Sequence, residues 1–301
     1  MTLEHNRRGV IAMSAGMVSF VLNDTLVKFV SHTLPTSQLI FLRGLVSIGM
    51  LLLLAKLTDP QALSPAWRQH LSQRWVVARS VLDGAASLVY LSALFHMPLG
   101  NATAINMSTP LLIALLSGLL LGVHVSLRNW LIIGLGFAGV LLVVQPQAEG
   151  FNGWAWVALA GTCLHALRDM CVRFIPHHIP SNVIAIGTAL AATLMSGLWS
   201  VSIEWVAVSP LHGLMLAAAS LCLSSGYFFL VQATRLADMS VIAPFRYMGL
   251  LTAVISGFVI WGDIPNPMAC VGMVLLVSAG LLMLYLNLQK PTGQATPKAA
   301  P

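Results

Sequence analysis

Charged residues are scarce in this 301-residue sequence, in which 15 basic and nine acidic side chains make up 8% of the chain. Hydrophobic residues account for 57%, and the mean hydropathy is +0.86. So few polar groups cannot cover the surface of a water-soluble protein with this much apolar material. The composition therefore excludes a soluble domain and predicts an all-α integral membrane protein whose solvent is lipid.

Cysteine pairs and basic runs are also lacking. The four cysteines lie inside apolar stretches without CxxC spacing, which argues against a disulfide framework or a zinc site. His177 and His178 are adjacent, and their side chains would diverge on a helix, so they do not form a metal pair. The net charge of +6 is dispersed, and no nucleic-acid partner is expected. We predict no metal and no cofactor.

Ten apolar segments are long enough to cross a bilayer, which takes roughly 20 helical residues. They cover approximately residues 9–31, 36–56, 75–96, 101–123, 128–146, 153–174, 182–203, 211–233, 239–261 and 267–288. The loop near Thr58 to Gln73 is predicted to hold a short surface helix around Trp67. Residues 289–301 are predicted to form a disordered cytoplasmic tail.

Twelve of the 15 Lys and Arg residues lie on one side of this topology, at or near span ends, and the other three, Lys28, Arg43 and Arg246, fall within spans. The twelve are Arg7, Arg8, Lys56, Arg68, Arg74, Arg79, Arg128, Arg168, Arg173, Arg235, Lys290 and Lys298. The loops of the opposite face carry only acids, such as Glu149, Glu204 and Asp263. Because basic loops stay in the cytoplasm during insertion, both termini are predicted to be cytoplasmic.

The two halves of the chain resemble each other. At an offset of 145 positions, Asp24-x3-Lys28-Phe29-x2-His32-x2-Pro35 aligns with Asp169-x3-Arg173-Phe174-x2-His177-x2-Pro180, and Gly16 with Gly161. A second offset aligns Tyr90 with Tyr227. We predict five-helix repeats at 9–146 and 153–288. Five is an odd number, so the second repeat would be inverted relative to the first, as in many secondary transporters.

Several segments resemble the drug/metabolite transporter superfamily, specifically its ten-span members with paired EamA repeats. They are Phe41-Leu42-Arg43-Gly44, Pro98 to Ala104 through Pro110 to Gly122, Arg168-Asp169, and Ala243-Pro244-Phe245-Arg246-Tyr247-Met248 through Gly262-Asp263. One departure is Val123, where the first repeat of that family often carries an acid. The resemblance implies helices around a central cavity in the bacterial cytoplasmic (inner) membrane, moving small organic solutes such as amino acids, riboflavin-like vitamins or S-adenosylmethionine.

Ionisable residues inside the spans are candidates for function, because a charge in the bilayer costs roughly 2.5 to 3.5 kcal/mol. Asp24 and Lys28, one turn apart, can neutralise each other or line the path, and Lys28 can extend to the interface. Arg79 and Asp83 repeat this spacing on a face that continues to Tyr90. The cluster at the end of the sixth span, which includes Arg168 and Asp169, is predicted to anchor that span at the interface.

The remaining candidates lack an acid within a helical turn or accompany a proline. Arg43 and Arg246 each need a partner, which is an anionic group of the substrate, a backbone carbonyl, or an acid on another helix, such as Asp24 for Arg43 or Asp83 for Arg246. Pro110 and Pro244 free backbone carbonyls inside spans and mark predicted helix breaks. The predicted substrate-binding residues are Asp24, Arg43, Asp83, Tyr90, Asn106, Tyr227, Arg246 and Tyr247.

These observations favour a secondary transporter for a small polar metabolite that works by alternating access. Protons are a candidate coupling ion, with Asp24 or Asp83 as the proton site, and a homodimer is compatible with this hypothesis. The alternatives are an integral membrane enzyme acting on a lipid or isoprenoid and a passive channel. No acid-rich or His-rich interfacial motif supports the enzyme, and no ring of repeated charges supports the channel.

Overall fold

The computed structural model describes residues 3–58, 67–122, 126–145, 153–176, 178–237 and 239–288. His177, Val123, Glu149, Pro146 and the predicted tail at 289–301 lie outside these residues. In the described part of the chain, the regular structure is entirely helical. The helices are α1 Leu3–Val30, α2 Thr36–Thr58, α3 Trp67–Leu71, α4 Arg74–Leu94, α5 Leu99–Asn106, α6 Thr109–Leu120, α7 Leu127–Val144, α8 Trp154–Cys171, α9 Ser181–Ser200, α10 Pro210–Leu236, α11 Met239–Ile242, α12 Met248–Trp261 and α13 Pro267–Leu288.

Nine spans of the described residues are long and apolar enough to cross a membrane. α5 and α6 together form one of them, and another combines α12 with the turn before it. α8 has 18 residues but is more polar, because His165, Arg168 and Asp169 lie in it. The chain is therefore an all-helical membrane protein, as predicted.

Local sequence explains several helix ends. The side chain of Ser209 accepts a hydrogen bond from the His212 backbone N–H at 3.2 Å and so caps the start of α10. α12 ends at Gly262, whose φ of 71° is readily adopted only by glycine. α7 ends at Gln145 in the same left-handed region, with a φ of 49°. The caps satisfy backbone groups that the helix ends leave unpaired.

Two helices are interrupted inside the bundle. α5 stops at Asn106 and α6 starts at Thr109, with Pro110 in its first turn. α11 stops at Ile242, and a 3-10 turn over Ala243–Tyr247, which contains Pro244, leads into α12. A proline removes one backbone hydrogen bond and clashes with the preceding turn, which explains both positions.

Helices from the two parts of the chain pack against each other in pairs. α1 packs on α10, α4 on α8, α2 on α9, α7 on α13 and α5 on α12. Glycines permit close approaches within these pairs: a Cβ at Gly161 in α8 would lie 2.9 Å from the Tyr90 backbone nitrogen in α4. At Gly16 in α1, a Cβ would lie 3.2 Å from the Gly226 carbonyl oxygen in α10. Polar side chains near Gly16 and Gly161 are thereby held in the interior.

We call the end of the bundle with Arg7 and Arg74 the basic end, and the end with Glu204 and Asp263 the acidic end. Polar contacts tie the acidic end together. Gln38 and the Val206 backbone exchange two hydrogen bonds of 2.7 and 3.0 Å. Gln145 and Asn266 exchange two of 2.8 and 3.0 Å. Each contact joins a residue of the first half to one of the second.

Candidate functional site

Asp24 and Arg43 lie on neighbouring helices and are linked through Asn23. The Asn23 amide donates to the Asp24 carboxylate at 2.9 Å, and Arg43 Nη1 donates to the Asn23 Oδ1 at 3.2 Å. The residue Arg43 is only 7% exposed, and its Nε has no hydrogen-bond partner. The predicted bridge from Arg43 to Asp24 is thus indirect, because the amide side chain of Asn23 stands between the two charges.

Asp83 pairs with Arg168, which reaches it from α8. Arg168 also contacts Asp169 at 2.9 Å, and its side chain is 19% exposed. The interpretation of Arg168 as an interfacial anchor was wrong, because its guanidinium pairs with Asp83 on α4 inside the bundle. The predicted pair of Arg79 with Asp83 is also absent from the described contacts. Arg79 Nη1 instead donates to Thr188 Oγ1 on α9 at 2.9 Å.

His165 connects this ion pair to the broken helix. One turn before Arg168 on α8, its Nδ1 lies 3.1 Å from Asn106 Oδ1 at the end of α5. The His165 ring is 5.7 Å from the Tyr90 ring, and Asp83 and Arg168 both act on it electrostatically. Sequence reasoning missed His165, although an ionisable residue inside the sixth span met the same criterion as Asp24.

Tyr227 on α10 interacts electrostatically with Arg43 and with both members of the Asp83–Arg168 pair. The Phe20 ring meets the Tyr227 ring edge-on at a centroid distance of 5.2 Å. Tyr90 similarly lies within reach of Asp24. We call this set the central cluster: Asn23, Asp24, Arg43, Arg79, Asp83, Tyr90, Asn106, His165, Arg168, Asp169 and Tyr227.

The structure does not bring Arg246 and Tyr247 into the central cluster. Arg246 is exposed, so the predicted bridge to Asp83 is wrong, because Asp83 pairs with Arg168. The Tyr247 hydroxyl packs against α13 at Gly280. Pro244 is exposed in the 3-10 turn next to them, and Pro110 is exposed at the start of α6.

Lys28 does not pair with Asp24 either. Its ammonium donates to the Met97 carbonyl oxygen and lies over the Trp261 ring, 5.0 Å from the centroid. Asp263 is the acid that interacts with it electrostatically. Lys28 is 5% exposed, so it is buried at the acidic end and does not extend into the interface. A cation on an aromatic face is attracted by the ring, which makes this a link between α1 and the end of α12.

The central cluster contains three arginines, three aspartates, a histidine and two tyrosines enclosed by helices. It can bind a polar guest, because its donors and acceptors would replace the guest's water. In the part of the chain that the structure describes, no group of three His, Cys, Asp or Glu side chains could hold a metal ion. A separate, mainly apolar cavity of about 400 Å³ lies between α2 and α10, lined by residues such as Leu53, Ser224 and Phe228.

Residues 7–145 match the EamA-like transporter family. The resemblance to the drug/metabolite transporter superfamily seen in the sequence is thus confirmed as an EamA-like transporter domain over these residues. The chain is 27% identical to the pseudopaline exporter of Pseudomonas aeruginosa strain UCBPP-PA14, over 93% of this chain and 96% of that one.

Other relatives carry other substrate names. The S-adenosylmethionine uptake transporter of Rickettsia prowazekii is 22% identical over 92% of both chains. The riboflavin transporter of Vibrio cholerae El Tor is 21% identical over 92% of this chain and 93% of that one. A solved crystal structure of a protein superposes with a TM-score of 0.63 at 19% identity, covering 93% of this chain and 99% of that one. The fold is thus shared with a known structure, and transport is the activity common to these named relatives.

Proposed function

We propose that this protein is a secondary transporter that moves a small polar organic metabolite across the bacterial cytoplasmic membrane by alternating access. The observation that carries this proposal is the central cluster: charged side chains from α1, α2, α4 and α8 converge inside a transporter-type fold. Charges are costly in a bilayer, so those found inside spans usually face the bundle interior and serve a polar path or site. The relatives are named for metabolites that carry several polar groups.

Two inverted repeats would provide the two states of alternating access, one open to each side of the membrane. In the two repeats, α1 corresponds to α8 and α4 corresponds to α10. If the repeats exchange roles, the α1–α10 pair becomes the α8–α4 pair, and both pairs are present. The same exchange leaves the α2–α9 and α7–α13 pairs unchanged. Gly16 and Gly161, equivalent in the sequence alignment, both stand at the close approach of their pair. These symmetric contacts support a division at 9–146 and 153–288.

Contacts between the two halves at the acidic end support a state that is closed on that side. Gln38–Val206, Gln145–Asn266 and Lys28–Trp261 all join the first half of the chain to the second there. Rocking of the halves would break these contacts and expose the central cluster to the acidic end. With both termini in the cytoplasm, as the distribution of Lys and Arg favours, the acidic end faces outward.

The test is counterflow in proteoliposomes containing the purified protein, with amino acids, S-adenosylmethionine and riboflavin as probes. We expect one probe class to exchange in wild type and not in Arg43→Gln, while Glu4→Gln, an exposed change at the start of α1, exchanges normally. Repeating the measurement with an imposed pH gradient tests protons as the coupling ion. Absence of exchange for every probe, from a folded and reconstituted protein, contradicts the transporter, and turnover of a lipid or isoprenoid would then favour an enzyme.

A further inference from the structure

A groove opens between α2 and α10 because each of these helices is held by a different neighbour. On α10, a Cβ added at Gly226 would lie 2.8 Å from a phenylalanine ring of α1, so α10 lies directly on α1 at this level. On α2, a Cβ at Gly44 would collide with Thr193 of α9, so α2 lies on α9. The two helices meet where the Ser220 hydroxyl donates to the Arg43 carbonyl oxygen at 3.1 Å. The apolar cavity of about 400 Å³ lies beyond this contact, toward the basic end.

The groove faces the membrane. Leu53 on α2 and Leu221 on α10 line it from opposite sides, and each is 59% exposed. Phe228, another lining residue, is 40% exposed and follows Leu221 by roughly 10 Å along the helix. In a helical membrane protein, exposed apolar side chains of the spans meet hydrocarbon and not water. The groove is therefore a recess in the lipid-facing surface.

Hydrocarbon fits this recess better than water does. Its walls are leucine, methionine and phenylalanine side chains together with Ser224 and Ser225. The Ser225 hydroxyl already donates to the Cys222 carbonyl oxygen at 3.0 Å. A buried water molecule needs about two to four polar partners, whereas an empty recess loses dispersion contacts along its walls. A flexible chain that enters from the adjacent bilayer restores those contacts.

A cation stands at the rim of the groove nearest the basic end. Lys56 follows Leu53 by three residues on α2, so it lies on the lipid-facing side and one turn closer to the membrane surface. Lys56 is exposed, and among the described residues no acid lies within ion-pairing distance of it. Lysines near the ends of membrane helices extend their ammonium groups toward the lipid head groups. An anionic head group adds an attraction that a zwitterionic one lacks.

We propose that the groove between α2 and α10 binds one acyl chain of an anionic phospholipid, whose phosphate lies beside Lys56. The lipid comes from the leaflet at the basic end, which the distribution of Lys and Arg favours as cytoplasmic. A chain in the groove contacts one helix from each half of the protein, so it stabilises the packing of the halves in this state. The site lies outside the central cluster, and the inference does not depend on which solute is transported.

Thermal unfolding in mixed micelles tests the site with two lipids that have the same chains, dioleoylphosphatidylglycerol and dioleoylphosphatidylcholine. We expect half-maximal stabilisation of the wild type at a roughly fivefold lower mole fraction of phosphatidylglycerol, because one basic side chain contributes about 1 kcal/mol at an anionic membrane surface. The head group without chains, glycerophosphoglycerol, should not raise the unfolding temperature. Equal stabilisation by the two lipids, or the same stabilisation by the chain-free compound, overturns the proposal.

Two variants locate the lipid. Lys56→Gln should remove the preference for phosphatidylglycerol, while Arg74→Gln, which also removes an exposed charge at the basic end, should retain it. Ser225→Phe fills the groove and should raise the half-maximal mole fraction of both lipids at least fivefold. Ser278→Phe, the same change at an exposed position of α13, should not. An unchanged preference in Lys56→Gln, or unchanged binding in Ser225→Phe, shows that the lipid binds elsewhere and refutes the site.

Discussion

Arg168 on α8 forms its ion pair with Asp83 on α4, although Arg79 stands one helical turn from Asp83 on its own helix. The pair crosses the interface between the two halves of the chain and is buried, with the Asp83 side chain 3% exposed. It is supported by Asp169, which holds the other side of the guanidinium. The central cluster is thus organised by contacts between helices that are distant in sequence.

Removal of either partner should destabilise the protein. In Arg168→Gln, Asp83 stays buried without its partner, which costs about 3 to 5 kcal/mol, whereas in Asp83→Asn the Arg168 guanidinium keeps Asp169 and the loss should be smaller. We expect a clear fall in the unfolding temperature in detergent, and a smaller fall in the double variant, which restores neutrality. Arg8→Gln, which removes the exposed Arg8–Glu4 pair, is the control and should change stability little. Additive losses in the double variant would contradict the pairing.

Gly161 should not tolerate even one methyl group. In Gly161→Ala, the new Cβ would lie 2.9 to 3.0 Å from the Tyr90 backbone, so α4 and α8 must separate. We expect a lower unfolding temperature and a lower yield of monodisperse protein. Gly49→Ala on α2 is the control, because no atom lies within 4 Å of the new Cβ. That change should leave stability equal or raise it slightly, since alanine favours helix by roughly 1 kcal/mol. An unaffected Gly161→Ala would refute the close contact.

Lys28 should hold the acidic end closed. In Lys28→Met, the Met97 carbonyl loses its donor and Trp261 loses its cation. Hydrogen–deuterium exchange should then rise in peptides that contain residues 97–101 and 261–266. Lys28→Arg, which keeps the charge and donors, should exchange more slowly than Lys28→Met. If exchange at the acidic end is the same in all three proteins, Lys28 has no role in closing it.

His165 should position Asn106 at the helix break through a hydrogen bond. His165→Gln keeps a side-chain donor, whereas His165→Phe keeps a ring of similar size and has none. We expect counterflow to survive in the first variant and to fall at least tenfold in the second, with both proteins folded. The opposite order would show that the ring contact with Tyr90 matters and the hydrogen bond does not.

The sequence predicted the helices well, because hydrophobic length and proline position are local properties. The breaks at Asn106–Thr109 and Ala243–Tyr247 lie where proline occurs inside an apolar span. The predicted substrate role of the eight chosen residues stays a prediction. Arg246 and Tyr247 lie apart from the others, since the turn after Pro244 directs Arg246 outward and Tyr247 toward α13. His165 was overlooked because no neighbour in sequence suggested a partner.

The sequence by itself determined that the chain lies in a membrane, where most of its apolar helices lie, and which charges are placed among apolar residues. Only the tertiary structure decided which charges pair. Spacing of one turn allows Asp24 with Lys28 and Arg79 with Asp83, yet each of these four residues makes its main polar contact elsewhere. In a medium of low dielectric, a charge is stabilised by the partner that contacts it directly, and that partner depends on how the helices pack.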